Sequence, residues 1–220
     1  MFGLWFGLVW TIGCQGEIDG KEAATVKEVP EQRLVKKPNP KDTKIQPQNI
    51  KIEPGKAEPS KEAQPPAGSM QLTSTSKVEW VGAKVTGEHS GGFKTVTGYA
   101  VQKEGKLVSL TADIDMNSLY SDSQRLTGHL RSDDFFSVVT YPSVSFTSSK
   151  IEGEKITGIL EMRAIKKEIS FPATIYISEQ SIDIKAEFTI NRRDWNVNYN
   201  GKANDLIKDD VLIKLDVQYK

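Results

Sequence analysis

From Lys77 to the C-terminus, apolar and polar residues alternate in short runs divided by Gly, Asn, Asp and Ser, and a period of two leaves few folds open. Val78 and Trp80 share a face of the first run; Phe93, Thr95, Thr97, Tyr99 and Val101 share a face of the second. Val108, Leu110, Ala112, Ile114 and Met116 form a third, followed by Val144 with Phe146, then Ile156, Gly158, Leu160 and Met162. Ile169, Phe171, Ala173, Ile175 and Ile177 come next, then Ile182, Ile184, Ala186, Phe188 and Ile190, and last Val211, Ile213, Leu215, Val217 and Tyr219. Successive side chains of a strand point to opposite faces, so such runs mark strands with one buried face. The links Glu104-Gly105, Glu152-Gly153-Glu154 and Glu179-Gln180 are short enough to join neighbours as hairpins. Seven or eight strands in this order predict an antiparallel sandwich or a closed barrel. Eight strands enclose a lumen that holds either packed side chains or one small ligand, and periodicity does not distinguish the two.

One stretch breaks the pattern. Asn117 to Phe136 is too polar for a strand; Asn117 or Ser118 is expected to cap a short helix, with a second through Leu130 to Phe136.

The N-terminal third has a different texture. Phe2 to Ile12 is an apolar run of signal-peptide length, too short to span a ~30 Å hydrocarbon core. It ends in Thr11-Ile12-Gly13-Cys14, which resembles a bacterial lipobox, with 1–13 as the signal peptide and Cys14 as the acylated residue. Residues 14–76 alternate Lys, Glu, Pro and Gln with single hydrophobes, a composition that predicts a disordered linker ahead of a domain at 77–220. As a coil, such a linker spans on the order of 40 Å.

Composition narrows the function. Lys and Arg total 29 and Asp and Glu total 29, so no net field favours nucleic acid. Cys14 is the only cysteine and there are two histidines, which excludes an internal disulfide and a thiolate metal cluster.

Within the domain, Gly128-His129-Leu130-Arg131-Ser132-Asp133-Asp134-Phe135-Phe136, then Tyr141-Pro142 and Val144-Ser145-Phe146, resemble the signature of the YceI-like family. Ile114-Asp115-Met116-Asn117-Ser118-Leu119, Thr86-Gly87-Glu88-His89-Ser90-Gly91, Phe171-Pro172-Ala173 and Asn191-Arg192-Arg193-Asp194-Trp195 extend the likeness, as does Ile207-Lys208-Asp209-Asp210-Val211. Arg163-Ala164-Ile165-Lys166 departs from the threonine and glycine usual at that turn. The resemblance implies an all-β, lipocalin-like eight-stranded antiparallel barrel with one or two short helices in a connection. It further implies an exported protein that binds an isoprenoid quinone or prenyl phosphate in an apolar cavity. Self-association is also implied, since many members are dimers. With the lipobox, these expectations place the chain in the bacterial envelope, periplasmic and lipid-anchored, with the outer membrane favoured.

On this reading the ligand wall comprises Trp80, Phe93, Tyr99, Leu110, Ile114, Phe146, Leu160, Phe171, Ile184, Phe188 and Ile213. Arg125, His129, Arg131 and Arg192 are the headgroup candidates, arginine being suited to bidentate contacts with phosphate. Phe135 and Phe136 are expected to plug one barrel end. No cofactor beyond a bound lipid, no metal and no catalysis is expected, since His89 and His129 each adjoin a serine only in sequence. The alternative is an envelope interaction module whose barrel is solid.

Overall fold

A computed structural model of the chain describes residues 16–29, 65–203 and 205–220. The apolar leader with Cys14, and residues 30–64 of the expected linker, lie outside the described residues. Two short strands, β1 (Thr25–Glu28) and β2 (Met70–Gln71), precede the hairpin of β3 (Lys77–Lys84) and β4 (Gly87–Phe93). The chain bends through β5 (Val96–Thr97) and β6 (Tyr99–Lys103) and returns along β7 (Lys106–Asp115). A 3-10 turn at Met116–Ser118 leads to β8 (Leu119–Ser121), which pairs with β4, and then to helix α1 (Gln124–Arg131). β9 (Ser143–Glu152), β10 (Lys155–Met162) and β11 (Ile165–Pro172) form a meander beside β7. β11 passes through Ala173 into β12 (Thr174–Ile177), the partner of β13 (Ile182–Asn191). After a 3-10 turn at Arg192–Trp195 and β14 (Gly201–Lys202), β15 (Asp205–Tyr219) pairs with β13 on one side and β3 on the other.

Taking β4–β5–β6, β7–β8 and β11–β12 each as one bent strand leaves eight, each antiparallel to the next and the last hydrogen-bonded to the first. The meander is closed, and the lipocalin-like barrel is the fold. The bend before β6 depends on Gly98, at φ +151, where any Cβ would overlap the carbonyl oxygen of Thr111.

Several local expectations are corrected. The third run does not keep one phase: Leu107 is buried and Val108 exposed, because Val101 faces Ser109 while Gln102 faces Leu107. That bulge at Val108 shifts the alternation by one residue. The first helical turn is capped by Asp115, whose carboxylate accepts from Asn117 N, instead of by Asn117 or Ser118. The α-helix of this connection starts earlier than Leu130, at Gln124, with Ser123 accepting from Leu126 N.

The divergent turn at Arg163-Ala164 is a tight hairpin. Met162 faces Ile165, and both turn residues are left-handed, at φ +51 and +59. Ala164→Gly is therefore expected to raise stability by about 0.5–1 kcal/mol, relief of left-handed strain exceeding the added chain entropy. Thermal unfolding should show the increase.

The linker boundary is also revised, at both ends. Gln71 and Lys220 exchange backbone hydrogen bonds, and Thr73 N donates to Gln218 O, so the barrel begins ahead of Lys77. More telling, residues 16–28 lie on the barrel. Ile18 packs on the outer wall against Val81, Ala83 and Leu212. Ala24 N then donates to Thr189 O of β13, and β1 pairs along Ser170 to Lys167 of β11. The chain thus fills the wedge where β11 diverges from β13. Scattered hydrophobes cannot build a core alone, yet they suffice where a ready sheet edge supplies backbone partners. Lys21–Glu187, Lys208–Asp19 and Lys214–Glu17 ion pairs fasten the segment.

Candidate functional site

The inward face of the barrel is apolar but not solid. Ile114, Phe146, Leu160, Ile213 and Leu215 point inward with the core, yet are only partly buried, because they border a void. Its volume is about 450 Å³. Phe171 and Phe188 stack at 4.2 Å on its wall, and Phe146 leans on Phe171 at 5.8 Å.

The two ends of the void differ. One is closed by Leu72 and Tyr219, joined by the strand bridge that ties residues 70–73 to the end of β15. Tyr219 is 1 % exposed and its hydroxyl donates to Thr111 O at 3.1 Å. Burial pushes its phenol above the ordinary tyrosine range. A raised acid favours folding fully below its unfolded pKa of about 10 and progressively less as pH climbs toward the folded value. Tyr219→Phe should therefore cost about 1 kcal/mol near neutrality through the lost hydrogen bond. The gap between variant and parent melting temperatures should shrink as pH rises above about 10.

At the opposite end the void meets Lys84 and His89 from the β3–β4 hairpin, Leu126, His129 and Leu130 from α1, and Tyr199 from the segment before β14. The polar members here are partly exposed, so this end is the mouth. Ser123 at the cap and Leu130 on the buried face hold α1 across it. His129 bonds Asp134 through Nε2 at 3.0 Å and is packed edge-on by Phe135 and Tyr199, at 5.0 and 4.8 Å. His89 Nδ1 bonds Asp122 at 3.0 Å. Ser132 Oγ donates to the backbone carbonyl of His129, not to its ring. The serine next to His129 is thus turned away from base chemistry.

Of the eleven residues expected on the ligand wall, ten border the cavity: Trp80, Phe93, Leu110, Ile114, Phe146, Leu160, Phe171, Ile184, Phe188 and Ile213. Tyr99 does not. The bend at Gly98 resets the strand, and Ala100 becomes the fully buried residue there. Among the headgroup candidates, His129 and Arg192 border the cavity, while Arg125 is exposed on α1 and Arg131 donates to Leu119 O instead. Arg192 is 5 % exposed and committed: it donates to Val197 O, Lys208 O and Asp209. Burial lowers its pKa, and Asp209 opposes the shift. Phe135 and Phe136 stand at the mouth beside α1, with both rings on the cavity surface.

Ala112, Tyr199 and Leu215 border the cavity without having been singled out. Ala112 and Leu215 share the inward alternation and were legible by phase; Tyr199 lies in an irregular stretch with no periodic signal. Trp80 Nε1 is buried in the wall and has no hydrogen-bond partner among the described residues. Among those residues no cluster of three or more His, Cys, Asp or Glu is placed to hold a metal.

Comparison with known proteins agrees with this geometry. Residues 71–219 match the YceI-like domain. A UPF0312 protein of Staphylococcus aureus strain MSSA476 is 26% identical over 97 residues, covering 41% of this chain and 57% of the relative. A UPF0312 protein of Pseudomonas putida is 26% identical over 116 residues, covering 48% and 60% respectively. The chain thus spans somewhat over half the length of these relatives. Burkholderia cenocepacia BcnA superposes with a TM-score of 0.59 at 22% identity, over 66% of this chain and 96% of that one. A polyisoprenoid binding domain from Saccharophagus degradans superposes at 0.57 with 16% identity, over 69% and 98%.

Proposed function

This chain belongs to the YceI-like family, and we propose that it is an exported binding protein holding an isoprenoid-type apolar ligand in its barrel. The observation that carries the reading is the apolar void of about 450 Å³ inside a closed wall, within the usual ~300–1,000 Å³ range of small-molecule sites. If a methylene takes about the ~30 Å³ of a water's share of the liquid, roughly fifteen carbons fit. Burying them contributes on the order of 12 kcal/mol gross. Association costs offset about 4–15 of that. A tail of about fifteen carbons therefore suits the cavity, and a much longer one would protrude from the mouth.

The arginines lend no support to a diphosphate headgroup. None of the three arginines expected to pair with phosphate is placed for it: Arg125 is off the cavity, Arg131 serves Leu119, and Arg192 is saturated by its own partners. His89, His129 and Tyr199 instead offer polar atoms, and with Trp80 ring faces, to a carbonyl-bearing ring, as in an isoprenoid quinone. The solved polyisoprenoid binding domain of the same fold supports this ligand class. The reading is of binding, not catalysis, and it places the chain in the envelope, held to a membrane through acylated Cys14. A solid barrel acting only as an interaction module would have no such void.

Organic extraction and native mass spectrometry of protein purified without detergent are expected to reveal a bound prenyl lipid, and a quinone with a short prenyl tail should raise Tm. Empty protein together with no shift on adding quinone or prenyl phosphate would overturn the proposal.

A further inference from the structure

Two independent features converge on the mouth of the cavity. The first is the path of the N-terminal segment. Glu17 N donates to Glu88 at the start of β4, so the described chain begins beside the β3–β4 hairpin, on the rim of the mouth. Cys14 precedes Gly16 by two residues, which span at most about 7 Å. Whatever holds Cys14 is therefore held close to the mouth.

The second is an apolar rim. Val85 at the hairpin tip is 72 % exposed and Leu206 on β15 is 52 % exposed, and the two are neighbours, Val85 N donating to Leu206 O. Val139, 93 % exposed, stands on the segment after Phe135 and Phe136, which border the same mouth. Toward the closed end, the links Glu104-Gly105, Gly153 and Glu179–Ser181 are polar, and the exposed apolar side chains there, Val108 and Tyr176, stand singly on separate strands. Exposed apolar side chains gathered round an opening mark a surface that meets something apolar. Acidic Glu17, Asp19 and Glu88 alternate near this rim with Lys84 and Lys208, so no single-sign charge field competes with apolar contact.

We propose that the mouth end of the barrel seats on a phospholipid bilayer, with Val85, Leu206 and Val139 at the interface, so that the cavity opens directly onto the membrane from which it takes its ligand. This rests on the reading of Cys14 as the acylated residue. A prenyl tail then passes from the bilayer into the barrel without crossing water, and a tail longer than the cavity keeps its excess in lipid.

The test is hydrogen exchange on the whole chain purified from cells, compared free and bound to phosphatidylethanolamine–phosphatidylglycerol vesicles. The mass of the purified chain first reports whether Cys14 carries acyl groups. If it does not, the lipoprotein reading fails, and orientation is still decided on the same chain by coupling its single cysteine to a maleimide lipid in the vesicles. Slowed exchange at 84–88, 137–141 and 203–207, with 152–154 and 178–181 unchanged and with no loss in high salt, is the expected result. Protection at the closed end, at both ends equally or at neither overturns the proposal. The V85E/L206E variant, which alters only exposed side chains, should remain bound to the vesicles through Cys14 yet lose the rim protection. It should also take up a vesicle-borne fluorescent quinone at least tenfold more slowly. Unchanged uptake would overturn the role given to the rim.

Discussion

Gly91→Ala is expected to destabilise the barrel by at least ~3 kcal/mol, lowering Tm by roughly 6–12 °C for a domain of this size. The cause is local. A Cβ at Gly91 would overlap the carbonyl oxygen of Tyr120 and come within 2.5 Å of Trp80 Cζ2. Tyr120 lies on β8, the strand that carries the wall from β4 toward α1, so relief of the clash requires prising β8 from β4 or turning Trp80 out of its place. The indole lies across Gly91 and near Gly82, 3.8 Å from where a Cβ would stand, and so occupies a slot made by two glycines. Either response disturbs the cavity wall, and tryptophan fluorescence should report it along with the lowered melting temperature. Gly87→Ala is the control, since a Cβ there meets nothing within 4 Å; it should move stability by no more than about 0.5 kcal/mol. Equal melting temperatures for the two variants would show that the β4–β8 contact yields more easily than its geometry implies.

Legibility in the sequence followed periodicity. From Ile182 to Ile190 every second residue is buried, as the alternation required, because β13 is a regular strand between two partners. The phase was lost where the backbone bends: at Val108, where a bulge inserts a residue, and at Tyr99, where Gly98 redirects the chain. Neither event leaves a mark in apolar spacing. Alternation did not reveal the cavity, which only the family resemblance implied, since inward Leu160 reads the same whether it meets another side chain or a void. β1 was missed for a different reason. Its sequence is Thr-Val-Lys-Glu, polar enough to pass for linker, and its order comes from the free edges of β11 and β13 more than from its own side chains.

The void invites a substitution that fills it. Ala112 lies on β7 opposite Phe146 and borders the cavity, so Ala112→Trp should send an indole into empty space, with little need to displace neighbours. If the ring takes the place of about four methylene groups of the ligand, at ~0.8 kcal/mol each, the loss is roughly 3 kcal/mol. That corresponds to an affinity loss on the order of a hundredfold. Stability should change little, or rise, because an inward apolar ring gains contacts that the empty cavity lacked. Val108→Trp, on the exposed bulge of the same strand, adds the same ring outside the barrel and should leave affinity unchanged. Titration of both variants with a fluorescent prenyl-chain probe, checked by circular dichroism, separates the cases. A probe that binds the two equally well is held elsewhere than in the barrel, because no ligand of that length can share about 450 Å³ with an added indole at undiminished affinity.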